Sequence, residues 1–133
     1  MKIPNDTTTF KYYNANSKNK HTTDCVVRAI CTALEQSYEQ TINELVALWL
    51  ETGYDIAEAR CFGKYLELKG WIKQKQPRKV DNTKYTGKEF VKTFKGVCVA
   101  NIGGNHTVCI KDGKVFDIWD STDGCIGNYW IKQ

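Results

Sequence analysis

The stretch "HTVCIKDGKVFDIWD", from His106 to Asp120, contains two apolar runs separated by Asp112-Gly113. An Asp-Gly pair between such runs is a preferred turn of a two-residue β-hairpin. When Asp112 and Gly113 form the turn, strand pairing places His106 opposite Trp119, and Asp120 follows at the strand end. The stretch therefore predicts a hairpin whose open end carries a histidine and an aspartate.

The segments around this hairpin predict the fold class. "GVCVANIG" (Gly96–Gly103) precedes it and "GNYWIKQ" (Gly127–Gln133) follows it, and both are rich in strand-forming residues. "WIKQKQ" (Trp71–Gln76) is a shorter strand candidate, whereas residues 1–24 are polar and irregular. We expect one domain, residues 1–133, with an α+β fold in which N-terminal helices pack on a C-terminal antiparallel sheet.

Four helices are predicted between the polar N-terminal segment and the sheet. The first begins at Cys25, with Asp24 as its N-cap. Two further starts have the form of a capping box, "TINE" at Thr41–Glu44 and "TGKE" at Thr86–Glu89. Helical spacing of apolar residues in "DIAEARCFGKYLELKG", Asp55–Gly70, predicts another helix between them.

The charge pattern does not indicate a nucleic-acid partner. The chain has 19 basic and 15 acidic side chains, a formal net charge of +4. Its densest basic segment is Lys69–Lys79, with Tyr65 and Trp71 in or near it. Aromatic residues among basic ones can bind single strands, but a solvated strand and turn explains this composition more simply. We therefore do not expect nucleic acid to bind here.

The cysteines and the N-terminus predict an intracellular protein with free thiols. The first residues, "MKIPNDTTTF", lack the apolar core of a secretory signal, and no run approaches the ~20 apolar residues of a membrane span. In a reducing cytosol the six cysteines would stay free. They form no CxxC pair, and the chain has two histidines, so neither a metal nor another cofactor is expected.

Cys25 is the candidate nucleophile, because the first turn of a helix favours the thiolate form of a cysteine. His106 is the candidate base and Asp120 the residue that orients it. His21 is a competing base, but it lies in a polar loop. Asp117 is the rival orienter: the same register puts it opposite Val108, and strand alternation puts it on the other face from Asp120.

Each of these residues also has an ordinary structural interpretation. A cysteine that starts an apolar helix is more often a buried core residue than a nucleophile. A histidine beside glycines is often a loop residue, and "DSTDG" (Asp120–Gly124) has turn chemistry of its own. The joint pattern of Cys25, His106 and Asp120 favours a reactive site over three independent structural residues.

The chain also resembles the papain-like cysteine peptidase superfamily through "DCVVRAI" (Asp24–Ile30) and the later "GNHTVCI…VFDIWDST". More narrowly, "YYNAN" to "GNYW" is similar to small papain-like proteins of bacteriophages and gut bacteria. The resemblance implies that Cys25, His106 and Asp120 take the roles of nucleophile, base and orienter. It also implies a peptide or protein substrate and, for a phage protein, a place in the host cytoplasm.

Two departures from that superfamily widen the range of expected functions. A glutamine upstream of the nucleophile normally stabilises the oxyanion, but here Asn19 and Asn16 are the amide candidates. The orienter is aspartate instead of asparagine. An aspartate in this role also occurs in transglutaminases and arylamine acyltransferases of the same broad superfamily. We therefore expect a thiol-dependent hydrolase of peptide or amide bonds. The alternatives are an acyltransferase or deamidase using the same residues, or a non-catalytic phage protein that binds a host factor.

Overall fold

The computed structural model describes residues 2–133 and confirms an α+β architecture. Its helices are α1 Cys25–Leu34, α2 Tyr38–Thr52, α3 Ala59–Leu68 and α4 Gly87–Thr93. Its strands are β1 Phe10–Tyr12, β2 Trp71–Gln74, β3 Cys98–Ile102, β4 His106–Lys111, β5 Lys114–Asp117 and β6 Ile126–Lys132. Among these described residues, no helix is both long and apolar enough to cross a membrane.

Within residues 2–133, six strands form one sheet in the order β1-β5-β4-β3-β6-β2. The prediction of a purely antiparallel, C-terminal sheet is wrong in two respects. The segment expected to be irregular contributes β1, which runs parallel to β5 and pairs Phe10 with Val115. The strand predicted at Trp71–Gln76 is confirmed as β2, but it lies in the middle of the chain and closes the opposite edge against β6. The parallel pair forms because Phe10 is fully buried, so one apolar residue anchors an otherwise polar segment.

The hairpin register is confirmed. Lys111 pairs with Lys114 across the turn, and Asp112 and Gly113 both have the positive φ that this turn requires. Strand β5, however, ends at Asp117, so it is three residues shorter than the sequence predicts. The residues between Asp117 and Asp120 therefore leave the sheet.

Two of the predicted helix starts are correct and two are displaced. Helix α1 begins at Cys25, and the capping box of Thr86 and Glu89 is present at α4. Helix α2 begins at Tyr38 instead, because Ser37 accepts a hydrogen bond from the backbone N–H of Gln40 and so caps it earlier. Helix α3 begins at Ala59, several residues after the start that its apolar spacing indicates.

The sheet carries helices on both faces. One apolar cluster joins α1, α2 and α3 to one face, with Ile30, Leu45 and Leu66 fully buried in it. A second cluster packs Phe90 and Val91 of α4 against the other face. Helix α1 packs directly on β4, and this packing brings the first turn of α1 close to the open end of the hairpin.

Candidate active site

Cys25 is a half-buried thiol at the first residue of α1. Burial raises the pKa of this thiol, but a hydrogen bond with the His106 side chain and one from the backbone N–H of Thr107 outweigh it. The net pKa of Cys25 therefore lies below its ordinary value. The structure thus combines a thiol with groups that stabilise its nucleophilic form.

Asp24 is the N-cap residue of α1, as predicted, but its side chain makes no capping hydrogen bond, so the N–H groups of the first turn stay available. Asp24 directs its carboxylate elsewhere: it accepts from Arg28 Nε at 2.7 Å, from Tyr38 at 2.8 Å and from Asn16 at 2.9 Å. These three bonds lower the pKa of Asp24 against the opposing effect of burial. The N–H groups beside Cys25 remain positioned to stabilise negative charge at or near its sulfur.

His106 links the thiol to a buried carboxylate. Its Nε2–H donates to Oδ2 of Asp117 at 2.5 Å, and the Asp117 side chain is 1% exposed. Burial lowers the pKa of His106, but the bonds to Asp117 and to Cys25 raise it to about 9. The Trp119 ring lies 4.9 Å from the imidazole, centroid to centroid, and shields one side of it. The imidazole is therefore held in place and favours its protonated form.

The orienting carboxylate is Asp117, and the prediction of Asp120 in this role is wrong. Asp120 accepts from the backbone N–H and the hydroxyl of Thr122 and so stabilises the turn after the strand. Asp117 is the last residue of β5, where the register Cys109–Phe116 puts it on the same face as His106. The register already put Asp117 on the face of His106 and Asp120 on the other face, so the choice of Asp120 rested only on its adjacency to Trp119.

Arg28 completes the site, and its role was missed in the sequence. It lies one turn after Cys25, with a side chain that is only 7% exposed. Its Nε donates to Asp24 at 2.7 Å and its Nη1 to Asp117 at 3.1 Å, so one guanidinium joins two carboxylates. The (i, i+4) spacing of Asp24 and Arg28 was the available signal. Arg28 ties the start of α1 to the residue that orients His106.

The side chains of the two asparagines predicted as oxyanion donors are directed at groups other than Cys25. The Asn16 amide donates to Asp24 at 2.9 Å and lies 3.4 Å from the Tyr38 hydroxyl, so it is directed at these two side chains. Asn19 lies on an exposed turn with a φ of 54°, and its side-chain oxygen is 3.5 Å from the Asn14 amide. The open backbone N–H groups of the first turn of α1 are the better oxyanion donors.

The competing residues are also accounted for. His21, the alternative base, lies with Nε2 2.9 Å from the Tyr12 hydroxyl.

Tyr65 and Trp71 are 4% and 5% exposed, so their rings are buried rather than available for stacking on bases. Burial raises the pKa values of the thiols of Cys31, Cys61, Cys98 and Cys109. Among the cysteines whose pKa shifts are resolved, Cys25 alone shifts downward, towards the thiolate.

The chemical interpretation of the site rests on its geometry, because comparisons with known proteins give no match. No family model, curated protein or solved structure matches the chain. In the arrangement itself, a thiol and an imidazole shift each other's pKa values, downward for Cys25 and upward for His106, and the imidazole donates to a buried carboxylate. Such an arrangement can generate a thiolate, attack an electrophilic carbon and return a proton to a leaving group.

Proposed function

We propose that this protein is a thiol-dependent hydrolase of peptide or amide bonds, papain-like in fold, with Cys25, His106 and Asp117 as nucleophile, base and orienter. The observation that carries the proposal is a half-buried thiol at the first residue of α1 together with an imidazole that donates to the buried carboxylate of Asp117. The pKa of Cys25 is lowered and that of His106 is raised to about 9, each partly through the other. A thiolate–imidazolium pair is the reactive state of cysteine hydrolases.

The proposed reaction has two steps. The Cys25 thiolate attacks the carbonyl carbon and forms a C–S bond, while the carbonyl electron pair moves to oxygen and is held by N–H groups of the first turn of α1. When the intermediate collapses, the C–N bond breaks and His106 gives its proton to the leaving amine. Water then transfers a proton to His106 and attacks the thioester, and the C–S bond breaks to release the acid and the thiolate.

Asp117 and Arg28 act through His106 in this proposal. The hydrogen bond of 2.5 Å to Asp117 fixes which ring nitrogen faces the thiol and stabilises the imidazolium. Arg28 holds the carboxylate of Asp117 from the other side, at 3.1 Å. Both are positioning residues, because the reacting atoms are those of Cys25 and His106.

The aspartate orienter also supports a second use of the same site, acyl transfer to an amine. Both uses share the thioester, and they differ in whether water or an amine resolves it. The contact between Cys25 and His106 weighs against a protein that only binds a host factor, because binding alone does not require two displaced pKa values.

The test is to trap the acyl-enzyme with p-nitrophenyl acetate and to follow nitrophenolate release and intact mass. We expect a burst with one acetyl group on Cys25, absent in Cys25→Ser and retained in Cys125→Ser, which removes an exposed thiol. Faster loss of the acetyl group with added glycinamide would favour acyl transfer over hydrolysis. A burst that survives in Cys25→Ser would contradict the proposal.

A further inference from the structure

Helix α2 and the loop after it expose a cluster of large apolar side chains, which we call the α2 patch. The patch consists of Val46, Trp49, Leu50 and Tyr54, which are 37%, 43%, 82% and 39% exposed. Spacings of three and four residues put Val46, Trp49 and Leu50 next to one another on the helix surface. Other apolar residues of α2, Leu45 and Leu48, are buried in the core. Single exposed apolar residues are common at protein surfaces, but a cluster of them is typical of an interaction site.

The segment of chain that carries the α2 patch is acidic throughout. Residues 29–59 contain no lysine or arginine and six acidic side chains, which are Glu35, Glu39, Glu44, Glu51, Asp55 and Glu58. This segment therefore has a formal charge of −6, whereas the rest of the chain has +10. In the folded protein, Glu44 is paired with Lys69 and Glu58 with Arg60. The segment thus has carboxylates beyond those that the protein's own cations neutralise.

Three carboxylates border the α2 patch and form no ion pair within residues 2–133. Glu51 and Asp55 each directly follow a patch residue, and Glu39 lies in the first turn of α2. Because eleven residues make about three helical turns, Glu39 lies on the same side of α2 as Leu50, nearer the N-terminus of the helix. All three acidic side chains are exposed. The patch is therefore an apolar surface with negative charge at both ends.

This negative charge discriminates among the classes of occupant. Nucleic acid and anionic lipid carry the same sign of charge and are repelled. A second copy that used the same patch around a two-fold axis would bring these carboxylates against their own counterparts. A basic protein segment is attracted by the same groups. Arg60 of the chain itself makes such a contact, because its guanidinium carbon lies 4.0 Å from the centroid of the Tyr54 ring and its Nε lies 3.0 Å from Glu58.

We propose that the α2 patch is a docking surface for a basic amphipathic helix of another protein. Apolar side chains of that helix cover Trp49 and Leu50, and its lysine or arginine side chains pair with Glu39, Glu51 and Asp55. Rows of side chains three and four residues apart are the surfaces on which a second helix packs, and recognition through the apolar face of a helix is a common mode of peptide binding. No residue of the patch takes part in the proposed reaction, so this inference goes beyond the proposed function.

The experiment measures the affinity of the full chain for a fluorescein-labelled amphipathic peptide of leucine and lysine by fluorescence anisotropy. The protein carries Cys25→Ser, so that the proposed hydrolase activity cannot cleave the probe. We expect saturable binding that weakens as the salt concentration rises, because salt screens the exposed carboxylates. Two comparison peptides, with glutamate in place of lysine or serine in place of leucine, should bind about tenfold more weakly or less.

Two variants of the α2 patch and two matched controls on α3 locate the binding. Leu50→Ser should lower the affinity about tenfold or more, because the probe then buries less apolar surface. Glu51→Lys should lower it about threefold or more and make it less dependent on salt. Leu68→Ser and Glu67→Lys, which make the same chemical changes outside the patch, should leave the affinity within about twofold of the parent value. All four side chains are exposed, so the folded state should tolerate these changes.

Four results would overturn the docking surface. The first is no binding of the leucine–lysine peptide at low salt, and the second is equally tight binding of the glutamate peptide. The third is an equal loss of affinity in Leu50→Ser and Leu68→Ser, which would place the probe elsewhere on the chain. The fourth is self-association in sedimentation velocity that Leu50→Ser abolishes, without peptide binding, which would assign the α2 patch to a second copy instead.

Discussion

His106 Nε2 lies 2.5 Å from Oδ2 of Asp117, and this contact joins the start of β4 to the end of β5 across the open end of the hairpin. The carboxylate is almost fully buried and is held on its other oxygen by Arg28. The same imidazole interacts with Cys25, and each of the two groups shifts the pKa of the other. The contact therefore determines which way His106 points and which proton it can exchange.

Replacement of Asp117 by Asn should weaken the site, whereas Asp120→Asn should not. Without the carboxylate charge, the pKa of His106 falls and less thiolate forms at Cys25. We expect iodoacetamide alkylation of Cys25 at pH 6 to slow about tenfold or more in Asp117→Asn. Asp120→Asn should stay close to the parent rate, because Asp120 bonds to Thr122. Equal slowing of alkylation in both variants would contradict the orienting role of Asp117.

The titration of His106 should report its two partners separately. In the parent protein the imidazole should titrate near pH 9, because Asp117 and Cys25 stabilise its cation against burial. Cys25→Ser removes the thiolate partner and should lower this pKa, while Asp117→Asn should lower it independently. NMR of the imidazole C2 proton measures the midpoint, and His106→Asn distinguishes its signal from that of His21. A midpoint at the ordinary histidine value in the parent protein would refute the coupling.

The same pKa shift makes a prediction about stability against pH. A folded-state pKa raised above the unfolded value means that protonated His106 stabilises the folded state. This contribution is fully present below the ordinary pKa of 6.5 and is lost as the pH rises through about 9. Urea unfolding at pH 6 and pH 10 should show this loss in the parent protein. The loss should be smaller in His106→Asn, and an equal loss would contradict the assignment.

Replacement of Arg28 should lower the free energy of unfolding more than replacement of an exposed charged residue does. Its removal leaves the buried Asp117 carboxylate without one of its cationic partners, and breaking such a buried pair costs about 3–5 kcal/mol. Arg28→Lys should also destabilise, because a single ammonium does not span the two carboxylates that the guanidinium joins. Urea unfolding gives the free energy. Arg60→Leu, at an exposed pair with Glu58, is the control and should change little.

Gly87 should not tolerate a side chain, because it is buried in the first turn of α4. A Cβ there would be 2.9 Å from Ile102 Cδ1 and 3.1 Å from the Thr122 backbone. Gly87→Ala should therefore destabilise the fold by about 1–3 kcal/mol through overpacking. Lys88→Ala, at the next position, has an exposed side chain and should have little effect. Thermal unfolding that is unchanged in Gly87→Ala would disprove this tight packing.

The hairpin was predictable because its signals are local. Asp112-Gly113 specifies the turn, the turn specifies the register, and the register brings His106 to the open end. Strand length was not predictable from these signals. Asp117 accepts from the N–H of Ile118 at 2.8 Å and from Ser121, and these local bonds compete with further strand pairing. The identity of the orienting aspartate did not depend on that strand end, because the register alone puts Asp117 and not Asp120 on the face of His106.

The long-range contacts of the site could not be predicted from the sequence pattern. Arg28 looks like a solvated residue in its helix, and only tertiary packing buries it between Asp24 and Asp117. The same packing turns Asp24 away from the helix end that its position would normally cap. Strand β1 also depends on tertiary packing. Its three residues pair with β5 because the Phe10 side chain is buried in the folded protein.

The central claim is that Cys25 forms a thiolate because His106 is protonated beside it. Its most direct test is site-resolved iodoacetamide labelling of all six cysteines between pH 5 and pH 9, read by peptide mass spectrometry. The account predicts that Cys25 is labelled first at mildly acidic pH, and faster than the exposed Cys125. His106→Ala should abolish that selectivity. Labelling of Cys25 no faster than Cys125 at pH 6, or selectivity unchanged in His106→Ala, would contradict the account.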